Sequence, residues 1–280
     1  MASAANAQIR PDLDPRRTTN LVPHILDYLA AVDPDGLFAE YPISAVSYQE
    51  GYRSITYSAF ANAVNGLAHW IRETLGKPSR EYEVLAYIGP NDLRYPALVL
   101  DAVKAGYTLF LTSLRNSVPA QITMFQGLSC QTLLSSSPRP PQVQAIADAH
   151  PEVKIVEVPA VEDLLEKKFE HFVYDKTYLE ELEKPMFVAH TSGSTGFPKP
   201  LVYKHGTAIT NTRLMALESP EGFHSVQRQF ERKRMFMTFP PFHAAYFVMS
   251  LFNCLPLGTV FLSPIAGAIP SAEELVEGLK

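Results

Sequence analysis

The sequence predicts an α/β fold, with helices against a largely parallel sheet, and three observations predict it. Short apolar runs alternate with longer segments of helical periodicity along much of the chain, the pattern of successive βαβ units. Glycine and proline punctuate the junctions, as at Gly76, Gly89-Pro90 and Gly106. The composition, 46% hydrophobic and 19% charged, supplies enough apolar surface for a buried core. A length of 280 residues suits one large unit or two lobes. No firm boundary is visible, and residue 180 is the one place where a boundary would fit.

Taken in order, residues 1–19 are polar and carry Arg10, Asp12, Asp14, Arg16 and Arg17, which predicts a mobile leader before a folded body at 20–280. An apolar segment follows from Leu21 to Ala31. Between Ser58 and Leu75, Phe60, Val64, Leu67, Ala68 and Ile71 recur at helical spacing, with Ser58 as N-cap and Gly76 as stop. Val84 to Ile88 reads as a strand, Leu93 to Ala105 as a helix closed by Gly106, and Tyr107 to Leu111 as a second buried strand. The alternation continues with a strand at Thr132 to Leu134, a turn from Ser135 to Pro141, a helix at Val143 to Ala149 and a strand at Lys154 to Val158. Residues 160–184 carry Glu162, Asp163, Glu166, Lys167, Lys168 and Glu170, the charge pattern of a solvated helix and connection. Met186 to Ala189, Leu201 to Tyr203 and Met235 to Phe239 read as further strands. No internal repeat is evident.

Charge and cysteine usage exclude several functions. A net charge of −5 argues against a general binder of nucleic-acid backbones, which needs excess Lys and Arg to displace counterions. The two cysteines, Cys130 and Cys254, sit in apolar surroundings without metal-ligand spacing, so buried free thiols in a reducing, cytoplasmic compartment are expected. No secretory signal is apparent, and no run of about 18 apolar residues would span a membrane. Arg228, Arg232, Lys233 and Arg234 cluster without an interleaved aromatic or glycine pattern, as at a solvated helix end or loop.

The chemistry concentrates in one loop. Thr191, Ser192, Gly193, Ser194, Thr195 and Gly196 precede Phe197-Pro198-Lys199, between two predicted strands. Two glycines permit a tight turn with exposed N–H groups, the hydroxyls add donors, and Lys199 adds a point charge, together a cradle for phosphate. Lys199 stands between Pro198 and Pro200, unlike the lysine of a P-loop that opens a helix. A bare Gly/Ser hairpin turn is the competing explanation, and the longer string answers it. HTSGSTGFPKPLVYKHG, residues 190–206, resembles the phosphate-binding signature of the adenylate-forming superfamily of acyl-CoA synthetases, luciferases and nonribosomal peptide synthetase adenylation domains. Ile55-Thr56-Tyr57 before a helix, Lys104-Ala105-Gly106 before a buried strand, and Phe239-Pro240-Pro241-Phe242-His243 are similar to family segments in the same order. His190 and Pro200 depart from most members and, together with Leu111 to Val118, resemble the fungal nonribosomal-peptide-synthetase-like group.

The resemblance implies layered α/β sheets of the N-terminal portion of an adenylate-forming domain, truncated, with the phosphate loop at a sheet edge and the small C-terminal lobe absent. It implies ATP-dependent activation of a small carboxylic acid, aryl, amino or other, in secondary metabolism. Thr191, Ser192, Gly193, Ser194, Thr195, Gly196 and Lys199 would hold the β- and γ-phosphates of ATP, and His243 would orient the carboxylate. A buried histidine donating to a backbone carbonyl is the alternative for His243. Mg2+ is expected with its protein ligand downstream of Lys280, and phosphopantetheine only if a carrier domain follows. Partners implied are the acid and a carrier domain or partner enzyme, with no nucleic acid and no membrane. The competing expectation is a truncated, catalytically incompetent remnant that binds nucleotide weakly or acts through protein contacts.

Overall fold

The computed structural model describes residues 10–191, 198–265 and 270–280. A 3-10 turn, Pro15–Arg17, precedes helix α1, Val22–Val32. Strands β1 (Leu37–Pro42) and β2 (Tyr52–Thr56) then lead into α2 (Tyr57–Leu75). Next come β3 (Val84–Ile88), α3 (Arg94–Ala105), β4 (Thr108–Leu111), α4 (Val118–Leu128), β5 (Thr132–Ser135), α5 (Pro141–Ala149) and β6 (Lys154–Glu157). Short helices α6 (Val161–Glu166) and α7 (Tyr178–Glu181) precede β7 (Pro185–Thr191), β8 (Lys199–Lys204) and α8 (His205–Ala216). Then follow β9 (Arg234–Phe236), a helical run of α9 (Ala244–Phe247), a π-helical stretch Val248–Cys254 and α10 (Leu255–Leu257), then β10 (Val260–Leu262) and α11 (Ala272–Gly278).

The strands form two sheets, ordered β6-β5-β3-β4-β7-β8 and β2-β1-β10-β9. In the larger sheet every described pair is parallel except β7 with β8. Strand side chains alternate between faces, so each central strand feeds two cores. Leu85, Tyr87, Leu109, Leu111 and Phe187 join the core containing α1, α2, α3 and the run after residue 243. Val84, Ala86, Ile88, Phe110 and Val188 face Met124 and Phe125 of α4 and Val143 and Ile146 of α5. Burial on both faces explains why these strands read as unbroken apolar runs.

Aromatic contacts join the two sheets through the helices. Phe60 of α2 stacks on Phe38 of β1 with centroids 4.0 Å apart. Phe247 lies 5.2 Å from Phe187 of β7 while its neighbour Tyr246 lies 6.0 Å from Phe261 of β10. Burying each such ring contributes about 2–3 kcal/mol. The two cysteines are buried free thiols, as expected, and burial pushes Cys130 up to about 12.

The structure corrects several expectations. Residues 10–19 are packed against the body: Arg10 N donates to Ala216 O at 2.8 Å, its guanidinium pairs with Glu231 at 2.8 Å, and Thr18 is buried. The N-cap of α2 is Thr56 in place of Ser58, because the helix begins at Tyr57 and the Thr56 hydroxyl accepts from Ala59 N at 3.1 Å. Residue 180 marks no break, since β7 returns to pair with β4. The strand expected over Met235 to Phe239 is confined to Arg234–Phe236. The charged stretch at 160–184 is a strap across α2 more than a solvated helix. Asn62 donates to Leu164 O and Lys167 O and accepts from Phe169 N, while the Phe169 ring lies so close to Gly66 that a Cβ there would meet it at 2.6 Å.

Lys104 ties this strap to three helices. Its ammonium, on a fully buried side chain, donates to Asp27 Oδ1 of α1 at 2.7 Å and to Asn65 Oδ1 of α2 at 3.0 Å, and Asn65 Oδ1 also accepts from Phe172 N at 3.2 Å. Removing one partner of such a group leaves polar atoms without partners. Lys104→Met is therefore expected to lower unfolding free energy by about 3 kcal/mol, measured by urea denaturation. A second expectation concerns acid. His205, 1% exposed at the start of α8, has its pKa lowered by burial from 6.5 to about 4, with the Glu181 carboxylate 3.8 Å away and out of hydrogen-bond reach. Its neutral form is favoured by folding, so this stability is complete above pH 6.5 and is lost as pH falls toward about 4. The loss should reach about 3 kcal/mol at most, and His205→Asn should flatten this part of the stability profile.

Candidate functional site

The carboxyl ends of parallel strands are where loops from neighbouring βα units meet, and in open α/β sheets ligands bind there. Here β4 and β7 are parallel neighbours, with Phe110 opposite Val188, so residues 112–117 and the end of β7 emerge side by side. β8 then returns antiparallel, which sets Thr191 opposite Lys199 and His190 opposite Pro200. Thr191 and Lys199 are both exposed. Lys204, at the other end of β8, is engaged by Glu183 at 2.7 Å, whereas Lys199 makes no ion pair among the described residues. Ser192, Gly193, Ser194, Thr195 and Gly196 lie outside the described residues.

The loop after β4 is built from its own polar side chains. Thr112 and Ser113 are buried. The Thr112 hydroxyl donates to Gln121 Oε1, and Gln121 Nε2 returns a bond to Ser113 O at 2.8 Å. Ser113 also turns the chain: its hydroxyl accepts from Arg115 N and its carbonyl from Asn116 N, both at 3.1 Å. The Ser117 hydroxyl caps α4 by accepting from Ala120 N. Asn116 is further held by Gln142 of α5, which donates to its carbonyl, and its Nδ2 lies 3.3 Å from His190 Nε2.

His243 occupies the N-cap of α9, where its Nδ1 accepts from Ala245 N at 3.1 Å. An accepting Nδ1 puts the ring proton on Nε2 in the neutral imidazole. The ring is exposed and stacked on Phe239, with centroids 6.2 Å apart. The alternative of a buried histidine donating to a carbonyl is thus corrected on both counts. His190 is half-buried between Phe110, edge-on at 6.4 Å, and Phe242, nearly parallel at 6.5 Å. Burial lowers its pKa, and the nearby His243 adds to the effect. The contacts of Asn116 and Gln121 were not visible in sequence. The signal available was that His190 departs from the common family pattern and, with residues 111–118, resembles the fungal group.

Among the described residues no group of three or more His, Cys, Asp or Glu side chains is placed to hold a metal, and no helix is long and apolar enough to cross a membrane. The basic cluster is dispersed: Arg234 pairs with Glu40 at 2.7 Å, and Arg232 sits in a loop with φ 52°.

The chain is an α/β body that presents hydroxyl, lysine and imidazole groups at the carboxyl edge of a largely parallel sheet. Residues 37–279 match the family described as AMP-binding enzyme, and the chain belongs to that family. Enzymes of this family use ATP and Mg2+. The chain is 32% identical over 235 residues to a carboxylic acid reductase of Neurospora crassa, a match covering 82% of this chain and 22% of that protein. It is 32% identical over 191 residues to the isocyanide synthase-NRPS hybrid crmA of Aspergillus fumigatus, covering 66% of this chain and 12% of that one. The chain thus spans about a fifth or less of these relatives. In fold it is similar to the N-terminal domain of FACL13 from Mycobacterium tuberculosis, with TM-score 0.68 at 20% identity, over 87% of this chain and 57% of that one.

The capping geometry gives a structural expectation. His243→Ala should cost about 1 kcal/mol of stability, while His243→Asn, which restores a capping acceptor, should stay within a few tenths of the parent in thermal or urea unfolding.

Proposed function

We propose that this chain grips the triphosphate of ATP at the turn between β7 and β8 and presents a small carboxylic acid, aryl, amino or other, to the α-phosphorus. One carboxylate oxygen forms the new bond to that phosphorus as its bond to the β-phosphate oxygen breaks, giving an acyl-adenylate and pyrophosphate. The observation that carries this reading is the cross-strand placement of Thr191 and Lys199 at the carboxyl edge of the sheet, at the two ends of the glycine and hydroxyl segment.

The surroundings suit an anion. β7, β8, residues 112–117 and residues 239–243 contain no Asp or Glu. Lys199 would supply a fixed positive charge and Thr191 a hydroxyl, with Ser192, Gly193, Ser194, Thr195 and Gly196 contributing N–H and hydroxyl donors. Such preorganised donors stabilise the charge that develops on departing pyrophosphate. His243, with Nδ1 occupied by its cap, keeps Nε2–H to orient the acid. Mg2+ would neutralise phosphate charge.

The wider setting we infer is a nonribosomal-peptide-synthetase-like enzyme of secondary metabolism. The acyl group would pass to a carrier domain, through phosphopantetheine where one follows, or to a partner enzyme. Buried, unpaired Cys130 and Cys254 fit a cytoplasmic compartment.

Two measurements test the proposal. ATP should bind in calorimetric titration, and Lys199→Ala should weaken it by about tenfold or more, as expected for loss of a charge-assisted contact. Unchanged affinity would remove the turn from the nucleotide site. Exchange of labelled pyrophosphate into ATP should appear with at least one member of a panel of aryl and amino acids. ATP binding without exchange for any acid would instead favour a chain that holds nucleotide but does not complete the reaction.

A further inference from the structure

We propose that His190 is a positioning residue which, as a neutral imidazole, clasps the end of β7 to the loop after β4 and to the 239–243 segment. This fixes the end of β7, where Thr191 stands opposite Lys199. The inference rests on the function proposed above only for its nucleotide readout. The clasp itself stands on geometry.

Three contacts define it. The face of the ring lies against Phe242, from the segment that ends in His243, and its edge meets Phe110 of β4. Nε2 lies 3.3 Å from Asn116 Nδ2. Asn116 cannot easily follow a moving partner, because its N–H is bonded to Ser113 O and its carbonyl accepts from Gln142. His190 stands opposite Pro200, which carries no N–H to contribute to the ladder, and it immediately precedes Thr191, the partner of Lys199.

The contact with Asn116 requires a particular protonation state. With the amide donating, Nε2 accepts and the ring proton is on Nδ1, a buried atom without a hydrogen-bond partner among the described residues. A second proton on Nε2 would oppose two donors at 3.3 Å unless the Asn116 amide turned over, which would give up its 3.5 Å contact to Thr112 Oγ1. The charged or titratable groups on the elements packed around His190 are His243, Arg115 on the loop after β4, and Lys199 and Lys204 on β8, with no carboxylate on β4, β7, β8 or residues 112–117 and 239–243. Burial and His243 both disfavour the imidazolium, while interaction with the Thr191 backbone partly offsets them. A merely space-filling aromatic at this position would show no such dependence.

The test pairs histidine NMR with nucleotide binding on the full chain. His190 should titrate below the ordinary 6.5 with Nδ1 protonated, its midpoint should rise in His243→Asn, and the Asn116 side-chain amide resonances should move with the same midpoint. Affinity for a nonhydrolysable ATP analogue should fall by about tenfold between about pH 7.5 and about pH 5. His190→Gln, which retains an acceptor that cannot be protonated, should bind like the parent at the upper pH and keep only the loss due to the nucleotide's own protonation. His190→Phe should bind more weakly throughout. An ordinary midpoint indifferent to His243→Asn, immobile Asn116 resonances, or an acid loss in His190→Gln equal to that of the parent would overturn the proposal. If the parent binds no nucleotide at any pH while the NMR midpoints behave as expected, the clasp stands and the proposed function fails.

Discussion

The constraint on which the rest of the structure depends is the double pairing of β7, parallel to β4 on one side and antiparallel to β8 on the other. A parallel neighbour brings the ends of two separate βα units together, whereas an antiparallel neighbour brings back the same stretch of chain. With both present, the segment leaving Thr191 starts beside residues 112–117 and finishes at Lys199. Phe187 secures the register from the core. Its ring stacks on Tyr203 of β8 at 4.7 Å and meets Phe247 at 5.2 Å, so a slip of β8 by one residue would turn Tyr203 to the opposite face.

Much of the larger sheet was legible because its strands are buried on both faces. Val84 to Ile88 and Met186 to Ala189 read as strands because apolar runs of that length, bounded by glycine, proline or charge, have few other stable fates. The smaller sheet was harder to see. β1 and β10 are partners that lie more than two hundred residues apart in sequence, and β9 and β10 have three residues each, too few for periodicity to register. The helical run from Ala244 to Leu257 was missed for a related reason. It is apolar nearly all round, as befits a segment wedged between Phe187 and Phe261, and it contains a π-helical stretch that breaks the usual spacing.

The candidate site was legible as a string and much less so as a place. Lys199 and Thr191 were identifiable from residue type, because glycines, hydroxyls and a lysine in series can present many donors at once. That Asn116 meets His190 depends on β4 and β7 being neighbours, a tertiary fact that no local pattern encodes. The capping role of His243 was likewise hidden, since histidine is not among the favoured N-cap residues. It caps here because the chain at His243 is extended, with φ −89° and ψ 138°, which aims Nδ1 at the first free amides of α9.

The two edges of the larger sheet treat polar groups differently. At the amino edge, Lys104 is saturated by Asp27 and Asn65, and Glu181 takes a bond from Tyr82 beneath the strap. These groups are buried and consumed in holding helices to the sheet. At the carboxyl edge, Thr112 and Gln121 are likewise consumed in shaping residues 112–117, whose Asn116 meets the half-buried His190, while Thr191, Lys199 and the imidazole of His243 are exposed. A protein that needed the carboxyl edge only for stability would gain nothing by fixing exposed side chains with a buried scaffold, because exposed lysine and threonine contribute little to folding. Rigid support beneath solvent-facing donors is what preorganised binding of an anion requires, and the clasp of Asn116 on His190, next to Thr191, is the support that the proposed site would use.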